Sequence, residues 1–485
     1  MQFEHSVRFN AVMNTILTAS NMLIGVITIP YVTRTLSVEG YGNVTFAQNI
    51  SQCLSAVCLV GIPTYGVREC ARARDDPRRL AAVVRELLAI ITVCTLTVLS
   101  CFVAAIVFVP RLHRLASLMC MFLVSTLLLS FGVEWFFQAM EEYAYITIRS
   151  VAFKGLAFVA MLLFVRADGD YLIYGAIMAF VVCGNNVLNL IRLGRMIDLR
   201  EPVPLHIRRH VKPLALFAAQ SIATSIYLFF DSVLLGMLSS DNVQVGLYQL
   251  AAKLKGVCWS VINAIVGALM PRLSYYARHS MDRYYDLLRK GFGIVCNLCL
   301  GLGCYLMVEA GPLTIWVSTG KYADAIVAVR IIGLVSLFSC MSTFLASCIL
   351  TPLGRESKLA IANMAGVPIS LIGNLLLDAH LGASGAALSM LVAEIVIFAM
   401  QTRYSCDVLR KSIGAERLAR MGVCHVCATA LLLMLLQGVP TMGCAAQVLT
   451  GMFTYCTVWL LAGFAFHEET VCWTIGVLRD KLIRK

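Results

Sequence analysis

The sequence predicts an all-α polytopic membrane protein of about fourteen transmembrane helices, with two six-helix halves in parallel repeat followed by two more helices. Three observations predict it. First, the 485 residues are 59% hydrophobic and 14% charged, with a mean hydropathy of +0.81; a soluble protein of this length needs far more polar surface. Second, the apolar residues fall in runs long enough to cross ~30 Å of hydrocarbon as helix, and none alternates as a barrel strand does. Third, Lys and Arg collect in every second loop.

In chain order the runs lie at roughly 9–33, 43–66, 83–109, 115–138, 145–166, 170–192, 213–238, 243–270, 287–310, 324–350, 358–378, 382–404, 418–437 and 444–466. The first is too long for a signal-peptide core and reads as a retained helix. With the N-terminus placed in the cytoplasm, 31 of the 39 Lys and Arg fall on cytoplasmic loops and span ends and 6 outside, while Lys253 and Lys255 lie within a span. That bias predicts an even number of spans with both termini cytoplasmic. It also argues against nucleic acid as the partner behind the net charge of +12, because the basic residues recur between apolar runs and form no single patch. The 19 Cys lie mostly within the runs, where Cys acts as a small apolar residue. Cys424-His425-Val426-Cys427 lacks a second ligand pair, so no metal site is expected.

Span one carries Asn14, Thr18, Asn21 and Gly25; span seven carries Gln220, Thr224, Tyr227 and Asp231 at the same spacing. Span two carries Tyr41, Thr45, Gln48, Gln52 and Ser55, then Pro63; span eight carries Gln249, Lys253, Gly256, Ser260 and Asn263, then Pro271. Steps of three and four place each set on one helical face. The matched sets predict a parallel repeat. The expected divisions are 1–194 and 213–404 as six-helix bundles, 195–212 as a cytoplasmic linker, and 405–485 as two additional helices with a cytoplasmic tail. Small and polar residues also serve ordinary helix packing, and that reading stays open for any one stripe. Charge in hydrocarbon is costly and marks ion or substrate paths, which singles out Asp231, Lys253 and Glu394. Asp231 and Lys253 lie at similar depth, as an ion pair or as two walls of one wet cavity between the halves. Ser274–Lys290, with four Tyr among basic residues, reads as an interfacial helix. No P-loop, nucleophile set or metal-ligand set is present in the sequence, so no enzyme is expected.

Several segments resemble a known family. Ile29-Pro30-Tyr31-Val32-Thr33-Arg34-Thr35-Leu36 with Glu39-Gly40-Tyr41-Gly42 is similar to the end of the first helix in the polysaccharide-transport, or oligosaccharide flippase, family. Gly61-Ile62-Pro63-Thr64-Tyr65-Gly66-Val67-Arg68-Glu69 resembles its second-helix exit. Phe230–Gly236, Val245–Tyr248, Met270–Ser274, Gly320–Ala325 and Leu353–Glu356 resemble later helices, in the right order. The likeness spans roughly Phe9–Tyr404. It implies the fourteen-helix fold of the multidrug/oligosaccharidyl-lipid/polysaccharide exporter superfamily. It also implies flipping of polyprenyl-pyrophosphate-linked oligosaccharide across the bacterial cytoplasmic membrane for O-antigen, capsule or exopolysaccharide assembly. The expected partners are that substrate, membrane lipids, a polysaccharide polymerase and glycosyltransferases. No cofactor is expected; a proton or sodium gradient would drive the cycle. On this reading Lys253 is the first candidate for the pyrophosphate, with Arg34 second. Asn14, Asn21, Gln48, Gln52, Gln220, Tyr227 and Asn263 are candidate sugar contacts. Asp231 and Glu394 are candidate ion-coupling carboxylates. Each has a structural alternative: a Lys253–Asp231 pair, an Arg34 headgroup contact, helix packing by Glu394. Two other functions stay open: a cation-coupled drug or metabolite antiporter of the same superfamily, and a non-transporting scaffold for a polysaccharide-synthesis complex.

Overall fold

The computed structural model describes residues 7–198, 206–438 and 443–473, with only the backbone of Val7, Arg8, Ala11, Asn21, Gln437 and Gly438. The middle of the expected linker, the basic tail from Arg479 to Lys485 and the Asn21 side chain lie outside the described residues. The described residues are helical and contain no strand. Thirteen helices are long and apolar enough to span a membrane, fourteen when one bent pair counts as a single span. They follow the expected order.

Two compact units are present, Met1–Gly246 and Leu247–Lys485. The first holds α1 (Val7–Thr35), α2 (Val38–Leu59), α3 (Ile62–Ala73), α4 (Pro77–Phe108), α5 (Pro110–His113), α6 (Ala116–Ser130), α7 (Glu134–Ala139), α8 (Tyr143–Phe164), α9 (Tyr171–Met196) and α10 (Arg208–Leu238). Helix α2 is its centre, packed on α4, α6, α9 and α10. It starts at Ser37, whose Oγ accepts from the Gly40 N–H at 3.1 Å, a side-chain cap on an otherwise orphaned donor. Helix α10 packs on α2 and α3, so the helix that the repeat places at the head of the second half belongs to the first compact unit.

The second span is not one straight helix. Val60 and Gly61 both take left-handed backbone, φ 48° and 72°. Pro63 sits in the first turn of α3, where its missing N–H costs nothing. The pair α2–α3 is therefore bent by 41°. A side chain at Gly61 would strike the Phe217 backbone of α10. Below the bend, Ile62, Tyr65, Leu87, Trp135, Phe136 and Phe137 form a buried apolar cluster.

The helix that crosses the unit boundary is α11 (Val243–His279). Its first turn touches the first turn of α2 reciprocally: a Cβ on Gly42 would strike the Asn242 carbonyl, and one on Gly246 the Val38 carbonyl. The second unit continues with α12 (Met281–Val308), α13 (Ala310–Ser318), α14 (Ile326–Leu345), a single π-turn at Ala346–Leu350, α15 (Glu356–Leu381), α16 (Ala383–Ser412), α17 (Ala415–Gly438) and α18 (Cys444–Ala465). Helices α12, α14 and α16 pack together, α15 lies along α16, and the α17–α18 hairpin docks on α12 and α13.

Ser274–Lys290 is not a separate interfacial helix. Its first residues extend α11, Ser280 breaks the chain in extended geometry, and the rest opens α12. The physical reason is burial: Tyr284 and Leu288 are fully buried in the second unit's core, and the Tyr284 hydroxyl donates to the Cys348 carbonyl at 3.0 Å.

Candidate functional site

Helix α11 has two faces. Cys258, Ile262, Val266 and Leu273 are buried in the second unit. The polar stripe is turned the other way: Lys253, Gly256 and Gly267 are exposed, and Gln249, Ser260 and Asn263 half-buried. Pro271 lies within the helix. Among the described residues of this unit no carboxylate pairs with Lys253. Lys255 does have one. Its Nζ lies 3.4 Å from Glu394 Oε1, with Glu394 3% exposed, and 3.5 Å from Met390 Sδ. Glu394, read from sequence as an ion-coupling carboxylate, is thus the counter-ion of Lys255.

In the first unit Asn14 and Thr18 are exposed on α1, and the Thr18 hydroxyl donates to the Asn14 carbonyl at 2.9 Å. Helix α1 is held by α8: Thr147 donates to the Met13 carbonyl at 3.0 Å and Tyr31 to the Val165 carbonyl at 2.8 Å. Arg34 is exposed at its end, Gln48 and Gln52 are half-buried on α2, and Gln220 is exposed and Tyr227 half-buried on α10. Asp231 is buried on α10. Asp231 and Lys253 fall in different units.

The structure also brings together residues that no short-range pattern joined. At the end where α1, α4 and α10 finish, Arg111 donates to the Gly236 carbonyl at 3.0 Å, the Ser240 carbonyl at 2.6 Å and Asn242 Oδ1 at 2.8 Å. Asn242 then donates to Asn43 Oδ1 at 2.7 Å. Burial, then the nearby Arg114, holds the Arg111 guanidinium below its ordinary value, though it stays charged. Between α8 and α9, the Arg166 and Ala167 N–H groups donate to Asp170 at 2.9 and 2.8 Å and hold its carboxyl below the ordinary carboxylate value.

At the opposite end, buried Glu86 accepts from the His206 N–H at 2.6 Å and from Arg209 Nη2 at 2.5 Å, and lies 2.7 Å from His210 Nε2. The other His210 nitrogen lies 2.7 Å from the Tyr65 hydroxyl. This network ties the start of α10 to α3 and α4. A carboxylate flanked by Val83, Val84 and Leu87 was the available sequence signal; its partners lie more than a hundred residues away. Nearby, buried Arg149 bonds Glu134 at 2.8 Å and Asn185 at 2.9 Å. Arg149 and Arg192 both stand over the Tyr145 ring. His425 of the Cys-rich segment lies between Tyr455 at 2.9 Å and Asn297 at 3.2 Å, joining α12, α17 and α18.

The described residues, all-helical with thirteen or fourteen candidate spans, polar helix faces left uncovered and buried charges, define a polytopic membrane protein in class. Residues 7–277, more than half of the chain, match the family described as Polysaccharide biosynthesis protein, and the chain belongs to that family. A Shigella dysenteriae protein, named provisionally as an O-antigen transporter, is 25% identical over 78% of this chain and 94% of its own length. An Escherichia coli strain K12 protein of the same provisional name is 22% identical over 82% of this chain and 96% of its own. Among solved structures, the lipid II flippase MurJ in an inward closed conformation superposes with a TM-score of 0.72 at 10% identity, covering 95% of this chain and all of that one. That likeness shows a shared fold. The resemblance read from the helix-end motifs is confirmed, and the chain is a transporter of polysaccharide biosynthesis, not an enzyme.

Proposed function

We propose that this protein flips polyprenyl-pyrophosphate-linked oligosaccharide repeat units from the inner to the outer leaflet of a bacterial cytoplasmic membrane, by alternating access driven by a proton or sodium gradient. Both relatives are named for O-antigen transport, and the protein of the same fold is named as a flippase of lipid II. One observation in the structure carries the reading. The polar face of α11 is left uncovered by its own unit, and among that unit's described residues no carboxylate pairs with Lys253 on it. A pyrophosphate moving through a low-dielectric region needs such a cation, because an unpaired buried charge is costly. Gln249, Ser260 and Asn263 share that face and offer the donors and acceptors that sugar hydroxyls use. In the first unit, Gln48, Gln52, Gln220 and Tyr227 offer the same chemistry.

The test is flipping of a defined polyprenyl-pyrophosphate oligosaccharide by purified protein in vesicles, under imposed proton or sodium gradients. Lys253→Ala is expected to slow flipping by roughly tenfold or more, the factor that a ~1.4 kcal/mol interaction carries. Lys253→Arg is expected to retain part of the rate. Normal flipping by Lys253→Ala would remove this residue from the path. A wild-type protein that flips no lipid-linked sugar, but exchanges small organic cations for protons, would overturn the substrate assignment.

A further inference from the structure

Glu309 joins α12 to α13. Its backbone is satisfied: its N–H donates to the Tyr305 carbonyl at 2.8 Å, and its carbonyl accepts from the Leu313 N–H at 2.9 Å. Its side chain is not. Glu309 is fully buried, and neither carboxylate oxygen has a hydrogen-bond partner among the described residues. The carboxyl points at Gly451 of α18, where a Cβ would strike Oε1. Gly451 therefore leaves a space just large enough for the acid group.

Among the described residues, the groups around it carry no compensating charge. On α12 they are Cys304 and Tyr305; the Tyr305 hydroxyl is committed to the Val448 carbonyl at 2.7 Å. On α18 they are Tyr455, whose ring centroid lies 6.2 Å from that of Tyr305, and Cys456. Helix α17 contributes Leu432 at Gly451 and, behind Tyr455, His425. Helix α13 contributes Thr314, fully buried with an unpartnered hydroxyl, and no titratable group. Arg330 of α14 is exposed. An isolated carboxylate in such surroundings is far more costly than the neutral acid.

We propose that Glu309 is a membrane-buried proton-binding site, occupied while α18 packs against it and emptied when that packing opens. The step is simple: one carboxylate oxygen takes H⁺ from a hydronium ion, so one O–H bond forms on the carboxyl, one O–H bond of the hydronium breaks, and a water molecule is left. Binding a proton here does not depend on what the protein carries. Its use as the coupling proton rests on the flippase reading above. It differs from the carboxylates singled out in the sequence, since Glu394 already holds Lys255.

Carbodiimides attack protonated carboxyls in apolar surroundings, so the probe is dicyclohexylcarbodiimide on the full-length protein in lipid vesicles, with modified peptides read by mass spectrometry across pH. Modification of Glu309 is expected to fall roughly tenfold per pH unit above its titration point, following the protonated fraction. The melting temperature should fall through the same pH window in wild type and stay level in Glu309→Gln, which mimics the neutral acid. The sign follows from the geometry: burial favours the protonated form in the folded state, so its stabilisation is lost as pH rises through the folded-state titration point. Modification that does not change with pH, or a Glu309→Gln protein that keeps the wild-type pH slope, would overturn the site. If Glu309→Gln does not fold, the wild-type modification profile decides alone. A level profile with flipping intact removes the proton site and leaves the flippase; a titrating profile without flipping does the reverse.

Discussion

Lys253 and Lys255 stand two residues apart on α11 and meet opposite circumstances. Two residues turn a helix by ~200°, so they cannot share a face, and this much is legible in the sequence. What each meets is not. Lys255 finds Glu394, 139 residues away, at 3.4 Å, with side-chain exposures of 13% and 3%. Removing one member of a buried pair strands the other charge, which costs about 3–5 kcal/mol. Lys255→Met is therefore expected to destabilise by about that amount, and the double variant with Glu394→Gln to recover most of it. Denaturant unfolding in micelles measures both. Equal losses in the single and double variants would show that Lys255 contributes through its stem and not its charge. Lys253 has no such partner among the described residues of its unit, so its loss is expected to fall on transport and spare stability. Periodicity reports which face a residue occupies; the partner across a helix pair is a long-range property, and Glu86 with His210 and Arg149 with Glu134 were invisible for the same reason.

Single elements show a similar division. Span lengths and order were legible because a bilayer imposes a minimum apolar length. The bend between α2 and α3 was not, because it depends on Val60, a β-branched residue in left-handed geometry that carries no turn signal. Gly61 is the permissive half of the pair. Gly61→Ala adds a left-handed penalty of ~1–2 kcal/mol and a collision with the Phe217 backbone, and overpacking of that kind costs a further ~1–3 kcal/mol. A fall in melting temperature is expected, larger than for alanine at Gly414, where nothing lies within 4 Å of the added carbon. The C-terminal hairpin gives a pH-dependent case. Arg289 of α12 donates to Glu469 at 3.1 Å, and Arg417 of α17 bonds the Arg289 carbonyl at 2.9 Å. The hydrogen bond from Arg289 holds the Glu469 carboxyl below its ordinary value of 4.5. A depressed carboxylate stabilises above its unfolded value and loses that contribution as pH falls through the folded one. The pair is 53% and 42% exposed, so solvent screening limits it to less than ~1 kcal/mol. Glu469→Gln should flatten the acid limb of the stability profile, below the ordinary carboxylate value of 4.5, and leave neutral stability almost unchanged. An unchanged acid limb would place the acid sensitivity elsewhere.

Across the whole chain, the distribution of charge predicts more than the packing does. The two ends of the helices are furnished differently. Arg111, Asn242 and Asn43 make a compact network at the end where α1, α4 and α10 finish, beside the reciprocal approach of Gly42 and Gly246. The Glu86, Arg209 and His210 network lies at the other end. Arg149 and Arg192, with their acidic partners, are there too. Along the sequence, 31 of the 39 Lys and Arg fall on the alternate set of loops and span ends to which Arg149, Arg192 and Arg209 belong. A membrane retains Lys and Arg on its cytoplasmic side, so the Arg111 end should face outward and the Glu86 end inward. Two open positions test this. Gly169, between α8 and α9, and Gly414, between α16 and α17, are both exposed, with nothing within 4 Å of an added Cβ. Gly169→Cys is expected to react with a membrane-impermeant maleimide in intact spheroplasts, and Gly414→Cys only after permeabilisation. Mass spectrometry of each engineered peptide separates the signal from the native cysteines. The reverse pattern would turn the molecule over, and with it the direction in which a substrate reaching Lys253 along α11 must travel.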